Sequence, residues 1–126
     1  MSKRIVVIED NAPDVFLLKE ALAQAGVACQ IETFEDGERA RAFIVTCTAP
    51  NRPDLFVVDW NIPKLDGVEL LGLIRLHPTF ADTPIVVWSS LGDPKGIEAF
   101  DIKHFFVKPS SLEGFLQIGQ VLRSIL

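Results

Sequence analysis

Asp59 closes the apolar run Leu55-Phe56-Val57-Val58, and Glu9 with Asp10 closes another, Ile5-Val6-Val7-Ile8. If the two runs are neighbouring parallel strands, three carboxylates meet at one edge of a sheet. Grouped anions repel, which drives at least one pKa upward unless a divalent cation neutralises them. Oxygen donors with no His or Cys among them point to a hard ion, Mg2+ or one like it. Two further run ends add complementary groups. Ser89 and Ser90 follow Ile85-Val86-Val87-Trp88, and Lys108 follows His104-Phe105-Phe106-Val107 directly before Pro109. An ammonium and a hydroxyl both suit phosphoryl oxygens. A carboxylate can itself attack phosphorus to give an acyl phosphate, with the surrounding charges stabilising the transition state. Asp59 is assigned that nucleophilic role.

These side chains converge only if folding brings the strand ends together. Strand-length apolar runs alternate with segments of helical period, the pattern of a parallel sheet covered by helices on both faces. The predicted strands are Arg4–Ile8, Ala28–Phe34, Leu55–Val58, Ile85–Trp88 and His104–Val107. The predicted helices are Ala12–Ala25, Gly37–Thr48, Gly67–Leu76, a fourth near Pro94–Phe100, and Ser111–Ile125. The fold class is therefore α/β, a doubly wound five-stranded parallel sheet with five helices. In such sheets ligands bind beyond the carboxyl ends of the strands. Asn11 is placed to cap the first helix, Pro13 is tolerated in its first turn, and Gly26 stops it. Ser110-Ser111-Leu112-Glu113 has the spacing of a capping box ahead of a wide apolar stripe. That stripe must cover something large, the sheet or a second copy in a homodimer. The fourth helix is the weakest, because Gly92, Pro94 and Gly96 stand together and each glycine costs on the order of 1 kcal/mol of helix propensity.

A chain of 126 residues suits one domain, expected to span 1–126 with no output domain. Its net charge of −5, with Lys and Arg scattered, argues against nucleic-acid binding. No stretch approaches the roughly 18 apolar residues of a membrane span, and no signal peptide is evident, so a cytoplasmic protein is expected. Cys29 and Cys47 lack a paired spacing and read as free thiols.

Ile8-Glu9-Asp10, the segment Val58-Asp59-Trp60-Asn61-Ile62-Pro63-Lys64-Leu65-Asp66-Gly67, Pro84 to Ser90, and Phe105-Phe106-Val107-Lys108-Pro109 together closely resemble the landmarks of the receiver domain of two-component response regulators. The resemblance covers essentially the whole chain. The segment Glu9 to Glu20 and His77-Pro78 look more specifically like the stand-alone regulators of phytochrome-type histidine kinases. The resemblance implies a flavodoxin-like strand order 2-1-3-4-5 and a phosphorylation-dependent switch that is not an enzyme beyond its own phosphotransfer and slow autodephosphorylation. It implies Asp59 as phosphoacceptor, Asp10 and Asp59 as direct Mg2+ ligands, Glu9 as a ligand through water, and the carbonyl of Asn61 as a further ligand. Ser89 would be the switch hydroxyl, Lys108 the phosphate partner and Phe105 the switch aromatic. A cis peptide at Pro109 would fit the family. The implied partners are a histidine kinase or phosphotransfer protein and an unknown downstream protein. Two departures stand out: the segment between the fourth and fifth strands is shorter than the family norm, and Phe105 replaces the frequent tyrosine.

Blander readings exist for each residue. The Glu9-Asp10 pair could be a helix N-terminal charge pair, Lys108-Pro109 a plain turn, and Ser89 or Ser90 a cap. Taken together at strand ends, they favour the phosphoryl site. His77 and His104 have no partner at metal spacing, and Trp88 is read as a packing residue with its indole N–H satisfied. The rival reading is a receiver-like adaptor or dimerisation module that is not phosphorylated. A flavodoxin-type FMN carrier would need a Ser/Thr/Gly-rich phosphate loop where Glu9-Asp10-Asn11 stands, and a haloacid-dehalogenase-type phosphatase a second aspartate where Asn61 stands.

Overall fold

In the computed structural model, which describes residues 2–92 and 96–126, each apolar run forms a strand whose neighbours run parallel to it. The chain order is β1 (Lys3–Ile8), α1 (Ala12–Gln24), β2 (Cys29–Phe34), α2 (Gly37–Thr46), β3 (Leu55–Asp59), α3 (Gly67–Leu76), β4 (Ile85–Ser89), β5 (His104–Val107) and α4 (Leu112–Ile125). Short 3-10 turns lie at Ala49–Asn51, Pro78–Phe80 and Ile97–Phe100. The sheet order is β2-β1-β3-β4-β5, the doubly wound arrangement expected from the sequence.

Alternation along the strands divides the core into two layers. Val6, Ile8, Phe56, Val58, Ile85 and Val87 face α2 and α3, where Ala40, Ile44, Leu70, Leu71 and Ile74 are buried. Ile5, Val7, Leu55, Val57, Val86 and Trp88 face α1 and α4, where Leu18, Leu22, Phe115, Ile118 and Leu122 are buried. The central strands are apolar on both faces because both faces are covered. The stripe on α4 is thus occupied inside the molecule, against the sheet and α1. A Cβ at Gly119 would lie 2.5 Å from the carbonyl oxygen of Ala21, so the two helices meet there at backbone distance.

The helix ends follow their caps. Asn11 Oδ1 accepts from the Asp14 N–H at 3.1 Å, Pro13 sits in the first turn, and Gly26 takes φ +78 just past the end of α1. On α4 the cap is Ser111, which accepts from the Gly114 N–H at 3.2 Å, one residue beyond the Ser110 expected from the capping-box spacing.

The fourth predicted helix, near Pro94–Phe100, is a correction. Pro94 lies outside the described residues, and the described remainder is only the 3-10 turn Ile97–Phe100. Gly96 before it and Asp101 after it have φ of +90 and +51, left-handed conformations that an α-helix cannot continue through. Four α-helices therefore stand among the described residues. The turn is held from α3 instead, where the Arg75 guanidinium donates to the carbonyls of Phe100, Asp101, Phe80 and Thr83 at 2.8 to 3.2 Å. Among the described residues the Lys108–Pro109 bond is trans like the rest, and no helix is long and apolar enough to cross a membrane.

Candidate functional site

Strand register assembles the site. Ile8 pairs with Val58, Val58 with Val87, and Val87 with Phe105, so one residue further along Glu9, Asp59, Trp88 and Phe106 stand level across the sheet. Beyond them Ser89 pairs with Val107, and the Lys108 N–H donates to the Ser89 carbonyl at 2.7 Å. The polar residues at four strand ends thus share one rim.

Glu9 and Asp59 are nearly inaccessible, at 1% and 5% exposure, while Asp10 faces solvent. Each of the three offers a carboxylate oxygen, and these atoms lie within 4.8 Å of one another. An all-oxygen group this tight, open on the Asp10 side, fits a hard divalent cation.

The cation present in the chain itself is Lys108, whose side chain is 9% exposed. Its Nζ lies 2.7 Å from Glu9 Oε1, 2.9 Å from Asp14 Oδ2 and 3.4 Å from Asp59 Oδ2. Burial alone would lower the ammonium's pKa, but its contacts with Glu9 and Asp14 and the charges of Glu9 and Asp59 outweigh that and raise it. Burial has the opposite effect on Glu9, pushing its carboxyl up to about 8, with Lys108 opposing and Asp59 reinforcing the shift.

The remaining site residues orient these groups. The Asn61 backbone N–H donates to Asp59 Oδ1 at 3.0 Å, fixing the carboxylate from the loop that follows β3. Ser89 Oγ accepts from Asn61 Nδ2 and from the Leu91 N–H, each at 3.2 Å. With both acceptor positions in use, the hydroxyl hydrogen is free to donate elsewhere. Trp60 packs over Gly67, where a Cβ would come within 2.8 Å of its ring. Phe105 is half-buried on β5 against the α3-side layer.

Asp59, Glu9, Asp10 and Lys108 are thus brought together, Asn61 and Ser89 touch each other beside them, and Phe105 is one strand away. Two residues escaped the sequence reading. Asp14 contacts Lys108 directly, although an acid in the first turn of a helix reads as a partner of the helix dipole. Trp88 is fully buried with Lys108 Nζ 5.3 Å from its ring centroid, and its indole N–H has no partner among the described residues, contrary to the expectation of a satisfied one. Trp88 ends a strand directly before the serine, so its place beside the rim was readable; its missing partner was not.

Comparison with known proteins agrees with the geometry. The model of the response regulator receiver domain family matches residues 5–118. The chain is 31% identical to the phosphate regulon transcriptional regulatory protein PhoB of Pseudomonas aeruginosa over 74% of its length, spanning 38% of that protein. It is 27% identical to the response regulator Rcp1 of Synechocystis sp. over 97% of its length, spanning 87% of that protein. The crystal structure of the Mn2+-bound form of Rcp1 superposes with a TM-score of 0.81 at 26% identity, covering 97% of this chain and 92% of that one. The phosphorylated cyanobacterial phytochrome response regulator RcpA superposes with a TM-score of 0.83 at 31% identity, covering 98% and 93%.

Proposed function

We propose, for a chain that belongs to the response regulator receiver domain family, that Asp59 accepts a phosphoryl group from a phosphohistidine on a histidine kinase or phosphotransfer protein. The observation that carries this reading is the buried Asp59 carboxylate with the Lys108 ammonium 3.4 Å away and carboxylate oxygens of Glu9 and Asp10 within 4.8 Å. An Asp59 carboxylate oxygen attacks phosphorus as the P–N bond of the donor breaks, and the electron pair of that bond stays on the imidazole nitrogen. Asp59 is held for attack by the Asn61 N–H. Lys108 and the free hydroxyl hydrogen of Ser89 are the donors toward the phosphoryl oxygens.

Glu9, Asp10 and Asp59, with the Asn61 carbonyl, would hold Mg2+, which when bound offsets the charge of the carboxylates and of the arriving phosphoryl group. The new group adds about −1.5 to −2 charges at Asp59. Ser89 is then drawn off its two donors, and Phe105, in register with Val87 just behind it, takes up the space. Because Phe105 has no hydroxyl, the signal is passed on by packing to a protein partner.

Phosphorylation with phosphoramidate or acetyl phosphate, followed by intact-mass analysis, tests the reading. A mass gain of one phosphoryl group that needs Mg2+ and disappears in Asp59→Asn is expected. A gain of equal size in Asp59→Asn would refute it.

A further inference from the structure

The Lys108 ammonium stands among three carboxylates, hydrogen-bonded to Asp59 Oδ2 and in closer ion pairs with Glu9 and Asp14. The distances rank them, 2.7 Å to Glu9, 2.9 Å to Asp14 and 3.4 Å to Asp59, so the nitrogen is drawn away from the residue that takes the phosphoryl group. Asp14 is linked to the same group through the start of α1. Glu9 Oε2 accepts from the Asn11 N–H at 3.1 Å, Asn11 Oδ1 accepts from the Asp14 N–H, and Asp14 Oδ2 returns to Lys108, which closes the ring on Glu9. The cap of α1 thus holds the Asp14 backbone, and its side chain, 20% exposed, meets Lys108.

We infer that Asp14 is a positioning residue which holds Lys108 off Asp59, weakening the site's grip on a phosphoryl group while strengthening its grip on a divalent cation. The inference rests on the phosphoacceptor reading of Asp59. Its two halves have one electrostatic origin. The Asp14 charge competes with phosphoryl oxygens for the ammonium and repels them, and the same charge, together with a lysine turned from Asp59, favours a cation at the carboxylates. Removing the charge moves the two affinities in opposite directions, whereas damage to α1 would weaken both.

Calorimetric titration of the full chain with Mg2+ alone, and then with beryllofluoride at saturating Mg2+, distinguishes these cases. In Asp14→Asn the Mg2+ dissociation constant should rise and the beryllofluoride dissociation constant fall, each by about threefold as suits a partly exposed charge pair. Asp14→Glu, which keeps the charge, should return both toward wild type. Weakening of both ligands, or no change in either, overturns the role of Asp14 while leaving Asp59 as acceptor. A wild type without Mg2+-dependent beryllofluoride binding, or an Asp59→Asn variant that binds it equally well, overturns the reading beneath it and this one with it.

Discussion

Replacing Lys108 with methionine removes the one basic group in contact with the buried Glu9 and Asp59 carboxylates among the described residues. The three side chains are 9%, 0% and 7% exposed, so water cannot take over the role of the ammonium. Breaking a buried ion pair by deleting one partner costs about 3–5 kcal/mol. The lower end applies here at neutral pH, since Glu9, already pushed up to about 8 by burial, can escape by taking a proton. The pH dependence has a definite sign. A carboxyl whose folded pKa lies above its unfolded value of 4.5 keeps its proton longer in the folded state, so stability falls as pH rises between the two values. Lys108 lowers the Glu9 pKa, so its removal raises that pKa further; both proteins lose this stability alike up to about pH 8, and the deficit of Lys108→Met grows above it. A divalent cation should undo much of it. Mg2+ at a hundred times its dissociation constant stabilises by about 2.7 kcal/mol, and the variant, relieved of a competing positive charge, should bind Mg2+ more tightly than wild type. Urea unfolding at pH 5.5 and 9 with EDTA or Mg2+ measures every term. A variant as stable as wild type at pH 9 in EDTA, or one that Mg2+ leaves as destabilised as EDTA does, would refute the account of Lys108 as the counter-ion of a cation-ready carboxylate group.

Ser89→Ala removes the hydroxyl aimed at the phosphoryl group and should slow phosphorylation by phosphoramidate on the order of 10²-fold, as loss of one oxyanion donor does, with Mg2+ affinity within error of wild type; intact-mass time courses and a Mg2+ titration report the two. Gly119→Ala puts a methyl group against the carbonyl of Ala21 and should destabilise by about 1–3 kcal/mol through overpacking between α1 and α4, read as a lower urea midpoint with unchanged slope. Arg75→Met leaves four carbonyls without their charged donor and should cost about 2–4 kcal/mol. Amide exchange in that variant should accelerate at Ile97–Ile102 before it does in β1 or β3, and uniform acceleration would show that the arginine does not secure that turn.

The sheet and the rim were readable because strands of a parallel sheet buried on both faces are continuous apolar runs, and a polar residue ending such a run has nowhere to go but the edge. Ile8-Glu9 and Val58-Asp59 follow that rule, Val107-Lys108 ends the partly exposed edge strand, and parallel register does the rest. Reading failed where two physical causes produce the same local pattern. Asp14 satisfies the helix N-terminus and the lysine at once, and only the first of these is visible from spacing. Ser110 and Ser111 are both competent caps, and the choice of Ser111 is decided by where Pro109 and Gly114 meet in the fold, a Cβ at Gly114 coming up against the ring of Pro109. The apolar residues near Phe100 suggested a helix, yet Ile97, Phe100 and Ile102 reach the α3-side layer through a 3-10 turn and a left-handed Asp101, with Arg75 supplying the donors that a helix would have supplied internally.

That substitution bears on how a phosphoryl group at Asp59 would be read at the surface. The Ser89 hydroxyl is tied to Asn61 on one side and to the Leu91 N–H on the other, so drawing it toward Asp59 must break or carry along the Leu91 contact. Leu91 is 70% exposed, whereas Phe100 and Asp101 are clamped to α3 by two of the four hydrogen bonds from the Arg75 guanidinium. A displacement starting at Ser89 therefore meets little resistance at Leu91 and a rigid stop at Phe100. On the other strand the Lys108 N–H is bonded to the Ser89 carbonyl, which couples the serine to the end of β5, where Phe105 is half-buried and Val107 exposed. The two ends of the coupling leave Leu91, Phe105 and Val107 as the apolar positions whose exposure responds to Asp59. The 3-10 turn, which stands where a fourth helix was expected, is tied to α3 by Arg75 and would resist such a displacement.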